Sequence, residues 1–232
     1  MPRNSPAPFD LVIFDCDGVL VDSEVIACHA VADTLLAFGH AVAADGIAER
    51  FTGMSDKDMY AILAAELGGE WPADFDAEMQ RRARERFERE LQSIPGVEAA
   101  VAQLPMARCV ASSSVPDNLA YKLRRTGLFA LFAPAIFSTA LVARGKPAPD
   151  IFLYAAAQMS AAPARALVIE DSGPGIAAAK AAGMTAFGFA GGSHCRPSHA
   201  ERLTAAGADL VFDDMRELPG LIAQRKATLT TS

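Results

Sequence analysis

Two aspartates, Asp15 and Asp17, stand one residue apart at the end of the apolar run Leu11-Val12-Ile13-Phe14, and Gly18 follows them. A short unbroken apolar run is the signature of a strand buried on both faces. The carboxylates therefore fall where a buried strand ends, which in open α/β sheets is where ligands bind. Two like charges this close beside apolar chain raise each other's pKa, and a divalent cation relieves the repulsion. Gly18 lets the backbone turn or approach a ligand closely.

Three further polar groups follow apolar runs. Ser112, with Ser113 beside it, ends Cys109-Val110-Ala111; Glu170-Asp171 ends Leu167-Val168-Ile169; Lys146 lies in a loop before a helix. If the strands are parallel, all of these share one edge with Asp15 and Asp17. That set suits phosphoryl transfer. Asp15 and Asp171 can hold Mg²⁺, a hard cation that prefers oxygen. Asp15 can attack phosphorus. Lys146 and the cation offset the repulsion between carboxylate and phosphate, and Ser112 can bond a phosphate oxygen. Asp17 is then free to protonate the leaving alkoxide and to take a proton from water.

The elements that must position these groups are legible from patterning. Helical signals run from Val25 to Phe38, Asp45 to Phe51, Asp56 to Leu67 with Ser55 as its cap, and Asp74 to Gln92. The mixed charges of Arg81 to Glu90 read as a solvated helix face. From Ile94-Pro95-Gly96 onward helices and strands alternate: helix Val97 to Leu104, strand Ala107 to Ala111, helix Asp117 to Thr126, strand Ala135 to Phe137, helix Asp150 to Met159, strand Ala166 to Ile169, a helix opened by Pro174 and closed by Gly183, strands Thr185 to Phe189 and Asp209 to Phe212, and helix Met215 to Arg225. Such alternation implies right-handed βαβ units. The expected fold is α/β, a Rossmann-like parallel sheet with helices on both faces and an inserted all-helical cap. The expected division is a core of 1–21 and 93–232 and a cap of 22–92, set above the carboxylates as a lid.

Composition narrows the function. The chain has 232 residues, 51% hydrophobic and 21% charged, with a net charge of −7, which argues against a nucleic-acid or membrane surface. The four cysteines, Cys16, Cys28, Cys109 and Cys195, form no C-x-x-C pair, and reduced thiols in a cytoplasmic protein are the simplest expectation. Residues 1–8 read as a loose tail without a signal-peptide core. The expected partner is a small phosphorylated metabolite, and the expected state a monomer or small homo-oligomer.

In order, Asp15-Cys16-Asp17-Gly18-Val19-Leu20-Val21-Asp22-Ser23-Glu24, Ser112, Gly145-Lys146-Pro147-Ala148-Pro149 and Glu170-Asp171-Ser172-Gly173-Pro174-Gly175-Ile176 resemble the four motifs of the haloacid dehalogenase superfamily, in its β-phosphoglucomutase and small-phosphatase branch. The resemblance implies a central Asp15 strand and a cap hinged near Asp22 and Ile94. It implies Asp15 as nucleophile, Asp17 as acid and base, and Mg²⁺ held by Asp15, the Asp17 carbonyl and Asp171, with Glu170 supporting the metal. Gly18, Glu24 and Ser113 are further substrate-binding candidates, and in the cap segment 52–57, expected to overhang the site, Lys57 is the candidate for contacting an anionic tail. The presence of Asp17 disfavours dehalogenation. Ala27, Thr52 and Asp56 stand where a phosphomutase of this branch carries histidine, lysine and arginine, so a Mg²⁺-dependent phosphatase acting on a sugar, sugar-acid or polyol phosphate is expected ahead of a sugar phosphomutase. His194 reads as a loop residue.

Overall fold

The computed structural model describes residues 8–51 and 56–229; the side chains of 56, 57 and 226–229 are outside that description, as are Thr52 to Ser55. In chain order the elements are β1 Leu11–Phe14, α1 Glu24–Ala37, α2 Ala44–Phe51, α3 Asp56–Leu67, α4 Phe75–Glu90, α5 Val97–Ala102, β2 Ala107–Ser112, α6 Pro116–Arg125, α7 Phe129–Phe132, β3 Ile136–Ser138, α8 Asp150–Gln158, β4 Ala166–Glu170, α9 Gly173–Ala181, β5 Thr185–Phe189, α10 His199–Ala205, β6 Leu210–Phe212 and α11 Leu218–Leu229. Six strands pair in the order β3-β2-β1-β4-β5-β6, all parallel.

Why β1 is unbroken apolar sequence is now visible. Its side chains alternate between two cores. Val12 and Phe14 join Val110, Leu167, Ile169 and Phe187 on one face, against Leu119 and Leu123 of α6 and Ile222 of α11. Leu11 and Ile13 join Cys109, Ala111 and Val168 on the other, against Ile151 and Phe152 of α8 and Ile176 and Ala179 of α9. No strand position is left for a polar side chain until β1 ends.

Between β1 and β2 the chain forms the helical cap, α1 to α4. These helices close on a core of their own, with Val31, Leu35, Ile47, Phe51, Leu63 and Phe75 buried together. Chain leaves and re-enters the sheet layer side by side. Ile94 N–H donates to Leu20 O (2.9 Å) and Asp22 N–H to Gln92 O (3.0 Å), and Val21 bridges Ser93 in antiparallel fashion.

Several expected bounds shift. The strand expected from Asp209 starts at Leu210; Asp209 still donates its N–H to Ala186 O (2.8 Å), and its carboxylate accepts from Ala186 N–H (2.9 Å) and Lys180 Nζ (2.7 Å). The helix expected from Met215 to Arg225 opens as a 3₁₀ turn, Met215–Glu217, and continues as α11; Pro219 falls in the first turn of α11, where its missing N–H costs nothing. The strand expected at Ala135 to Phe137 is Ile136–Ser138. Helices α7 and α10, of four and seven residues, are too short for a periodic signal and were not expected.

Phe75 anchors the cap. It is 1% exposed, with Trp71 stacked at 4.3 Å and Phe38 and Tyr60 at 5.4 and 5.7 Å. Truncation removes a large buried ring and leaves a cavity. Phe75→Ala is expected to lose about 3–5 kcal/mol of cap stability, read as a lower urea midpoint for Trp71 fluorescence.

Candidate active site

All of the expected strand-end groups meet at the carboxyl edge of the sheet. Asp15 follows β1, Ser112 ends β2, and Glu170 ends β4 with Asp171 after it. Lys146 comes from the loop before α8. Its Nζ donates to Asp15 Oδ1 (2.8 Å), Glu170 Oε1 (2.7 Å) and Ala111 O (3.1 Å). Three acceptors satisfy all three ammonium protons. Glu170 is fully buried; its other oxygen accepts from Ser172 N–H and Oγ, both at 2.9 Å. It tucks under the start of α9, where Gly175 is required: a Cβ there would lie 1.9 Å from the Glu170 carboxyl carbon.

Burial pushes Asp15 well above the usual carboxylate range; Lys146 opposes this, while Glu170, Asp171 and Asp17 add to it. Asp171 is pushed up in the same way, by burial and then by Glu170. Carboxylate oxygens of Asp15, Glu170 and Asp171 lie within 4.8 Å of one another. Lys146 bonds two of these three buried carboxylates, so ionising all three leaves negative charge that it does not compensate, among carboxylate oxygen donors. That chemistry fits a hard divalent cation. The Asp17 carboxylate is not in this group, which leaves its carbonyl as the atom the resemblance implied.

Asp17 is held differently. Its carboxylate accepts from Lys122 Nζ, Ser23 Oγ (2.5 Å) and Ser114 Oγ (2.8 Å). Burial would raise it, but the Lys122 charge and these hydrogen bonds outweigh burial and bring it below its ordinary value. The same partnership holds Lys122 above its ordinary value against desolvation.

Patterning alone did not single out Lys122, Ser23 and Ser114. One signal was available for Lys122. It shares the apolar face of α6 with Leu119 and Leu123, and a lysine on a buried face needs a partner. Ser112 Oγ accepts from Ser114 N–H (3.0 Å), and Ser112 is 1% exposed. Ser113 is exposed and lines the cavity above the site, as does Glu24. Gly18 makes the expected turn, at a φ of +74°. Its N–H is taken by Val21 O (2.9 Å), and it is not among the cavity-lining residues. What it supplies is room, since a Cβ there would lie 1.9 Å from Asp171 Oδ2. The side chain of Lys57 lies outside the described residues, as do Thr52 and the Asp56 side chain.

The cavity measures about 1130 Å³. Asp15, Asp17, Ser112, Lys122 and Lys146 form its floor; Ile47, Phe51, Tyr60, Trp71 and Met79 of the cap line it from above.

Comparison with known proteins decides the family. The family model for haloacid dehalogenase-like hydrolase matches residues 9–183. This chain belongs to that family. It is 28% identical over 223 residues to the 6-phosphogluconate phosphatase of Escherichia coli (strain K12), covering 95% of this chain and 98% of that protein. A conserved haloacid dehalogenase-like protein of unknown function from Agrobacterium tumefaciens str. C58 superposes with a TM-score of 0.84 at 43% identity, over 94% of this chain and 99% of that one. A haloacid dehalogenase family hydrolase from Deinococcus radiodurans R1, solved with bound phosphate and sodium, gives a TM-score of 0.80 at 34% identity, over 95% and 98%. No helix among the described residues of this haloacid dehalogenase-like hydrolase is long and apolar enough to cross a membrane.

Glu24 carries a measurable consequence. Burial, then the charges of Asp171 and Asp17, raise it from 4.5 to about 8. Below pH 4.5 it is protonated folded and unfolded and contributes nothing. Between 4.5 and about 8 the unfolded chain releases a proton that the folded chain keeps, so stability falls as pH rises; above about 8 the penalty is constant. In metal-free protein, Glu24→Gln is expected to raise Tm at pH 8 and leave it unchanged at pH 4, by differential scanning calorimetry.

Proposed function

We propose that this hydrolase is a Mg²⁺-dependent phosphatase that cleaves a small phosphorylated metabolite, a sugar, sugar-acid or polyol phosphate, through an aspartyl-phosphate on Asp15. One observation carries the reading: Lys146 links Asp15 to Glu170 at 2.8 and 2.7 Å, with Asp171 within reach of the same ion. Phosphate bound to the Deinococcus radiodurans relative and the activity named for the Escherichia coli relative support it.

Asp15, Glu170 and Asp171 would hold the cation, with the Asp17 carbonyl completing the set. When bound, it neutralises the carboxylates and draws in the phosphate. Lys146 opposes the rise in the Asp15 pKa and aims the carboxylate. The Asp15 carboxylate attacks phosphorus, the bond from phosphorus to the leaving oxygen breaks, and Asp17 gives that oxygen its proton. Water then attacks the phosphoryl group, Asp17 takes the water proton, and the Asp15–phosphorus bond breaks to release phosphate. Asp17 begins ionised beside Lys122; a phosphate dianion arriving next to it raises its pKa, so that it takes up from solvent the proton it then donates. Ser112 Oγ accepts from Ser114 N–H, so its own proton is left for a phosphate oxygen.

Hydrolysis is favoured over phosphomutation. A mutase must hold a second phosphate under the cap. Among the described residues lining the cavity, the lysines and arginine are Lys122, Lys146 and Arg202, all from the core side; the cap side offers Glu24, Glu70 and Asp76 instead.

A phosphate-release screen over sugar, sugar-acid and polyol phosphates with Mg²⁺ tests the proposal. Release is expected with one class or more, and is expected to fall to the assay background in Asp15→Asn and in EDTA. Turnover unchanged in Asp15→Asn refutes the nucleophile. Isomerised sugar phosphate without net phosphate release points to the mutase.

A further inference from the structure

Two buried histidines have no part in the chemistry above. His194 lies in the loop Gly191-Gly192-Ser193-His194 after β5, and His199 opens α10. They are 6% and 5% exposed, and both reach Asp171. His194 Nε2 lies 3.0 Å from Asp171 Oδ2. His199 Nε2 lies 2.7 Å from the Asp171 carbonyl oxygen. The other nitrogen of His199 faces the Arg202 guanidinium at 3.1 Å. A guanidinium only donates, so Nδ1 of His199 accepts and Nε2 carries the proton to the carbonyl.

A slot is built for the His194 ring. A Cβ on Gly18 would lie 2.8 Å from its Cε1, and a Cβ on Gly192 2.6 Å from the same atom. Only glycine on both sides admits the ring. The loop is tied down next door, where Ser193 N–H and Oγ both donate to Asp22 Oδ1 (3.1 and 2.8 Å). The ring's Nδ1 is buried with no partner. Burying a polar ring for packing alone is costlier than burying a leucine, so the contact at Nε2 is what the slot serves. Cys195 Sγ stands 3.5 Å from the same nitrogen, and one ligating atom from each of His194, Cys195 and His199 falls within 4.8 Å of the others. A second metal there would have to break the contacts to Asp171 and Arg202, which argues for a support rather than another ion site.

We propose that His194 and His199 are positioning residues that clamp Asp171 at two points, His199 fixing its main chain and His194 occupying Oδ2 so that Oδ1 is presented to the divalent cation. The proposal rests on Asp171 being a ligand of that cation. Hydrogen-bond partners of a metal ligand typically contribute about 10–100-fold in metal affinity.

The test is calorimetric titration of the metal-free full-length protein with Mg²⁺, beside the phosphate-release assay and a far-UV spectrum. His194→Leu keeps the volume and removes the donor. It is expected to weaken Mg²⁺ binding about 10–100-fold, while kcat at saturating Mg²⁺ stays within a few-fold of the parent. His194→Gln, whose amide can donate toward Oδ2, is expected to recover most of the affinity. A folded His194→Leu that binds Mg²⁺ like the parent overturns the clamp, as does a His194→Gln no better than His194→Leu. Should the leucine variant not fold, His194→Asn replaces it: asparagine is too short to bridge the gap, and equal affinity in the Gln and Asn variants overturns the proposal. Asp171→Asn separates the two layers. Parent-like Mg²⁺ binding in that variant removes the ligand assignment itself, whereas lost binding there with intact binding in His194→Leu removes the clamp alone.

Discussion

Charge held out of water at one edge of the sheet is the constraint on which the rest depends. Asp15, Glu170 and Asp171 are 8%, 0% and 5% exposed, yet they sit together. Three carboxylates so placed repel one another and each has lost solvent. Lys146 compensates part of this by lying between Asp15 and Glu170. It cannot compensate all of it, and the direction in which Asp15 and Asp171 are pushed records the remainder. A site of this kind holds its shape only because the surrounding scaffold is over-determined. Two apolar cores clamp β1 from opposite faces, and β1 is hydrogen-bonded to strands on both sides. A bound cation then stabilises the folded chain by mass action, since the unfolded chain offers no such cluster.

The two aspartates of the first motif, with only Cys16 between them, are treated oppositely. Asp15 is desolvated with one ammonium partner and rises. Asp17 has an ammonium and two hydroxyls and falls. Their different environments suit the different roles proposed for them: a nucleophile pinned by Lys146, and a proton carrier whose state answers to what enters beside Lys122. Cys16 between them is fully buried, and burial raises its thiol well out of the reactive range, so the residue separating the carboxylates is inert.

Legibility followed locality. The sheet could be read because each strand is a local apolar run, and the strand-end groups because each directly follows one. Lys122 stood in plain sight on α6, but its partner Asp17 is 105 residues away, and nothing local announces such a pair. His194 was read as a loop residue and His199 not at all. Gly192 in that loop carried a usable signal that only the fold interprets: it admits a ring, and Gly18, which also makes the turn expected of it, does so from the other side. Short elements failed for a different reason, since α7 spans about one helical turn and one turn has no periodicity to detect.

Core and cap divide the labour by chemistry. Every lysine and arginine among the described residues lining the cavity lies on the core side, where the motif carboxylates also lie. The phosphate therefore has its counter-charges before the cap contributes anything. The cap side presents Phe51, Tyr60, Trp71 and Met79, with Glu24, Glu70 and Asp76 as its acidic groups. Such a wall discriminates by shape and by desolvation, both of which act on the leaving group rather than on the phosphoryl group. Discrimination of this sort is shallow for apolar differences and steep only where a polar group is left unpaired. An anionic tail on the substrate would meet like charge from Glu70 and Asp76, whereas a neutral polyol or sugar would bring hydroxyls able to pair with Glu24, Glu70 and Asp76. Within the proposed substrate range, the described wall thus favours the neutral members over the sugar acids, even though the Escherichia coli relative is named for a sugar acid.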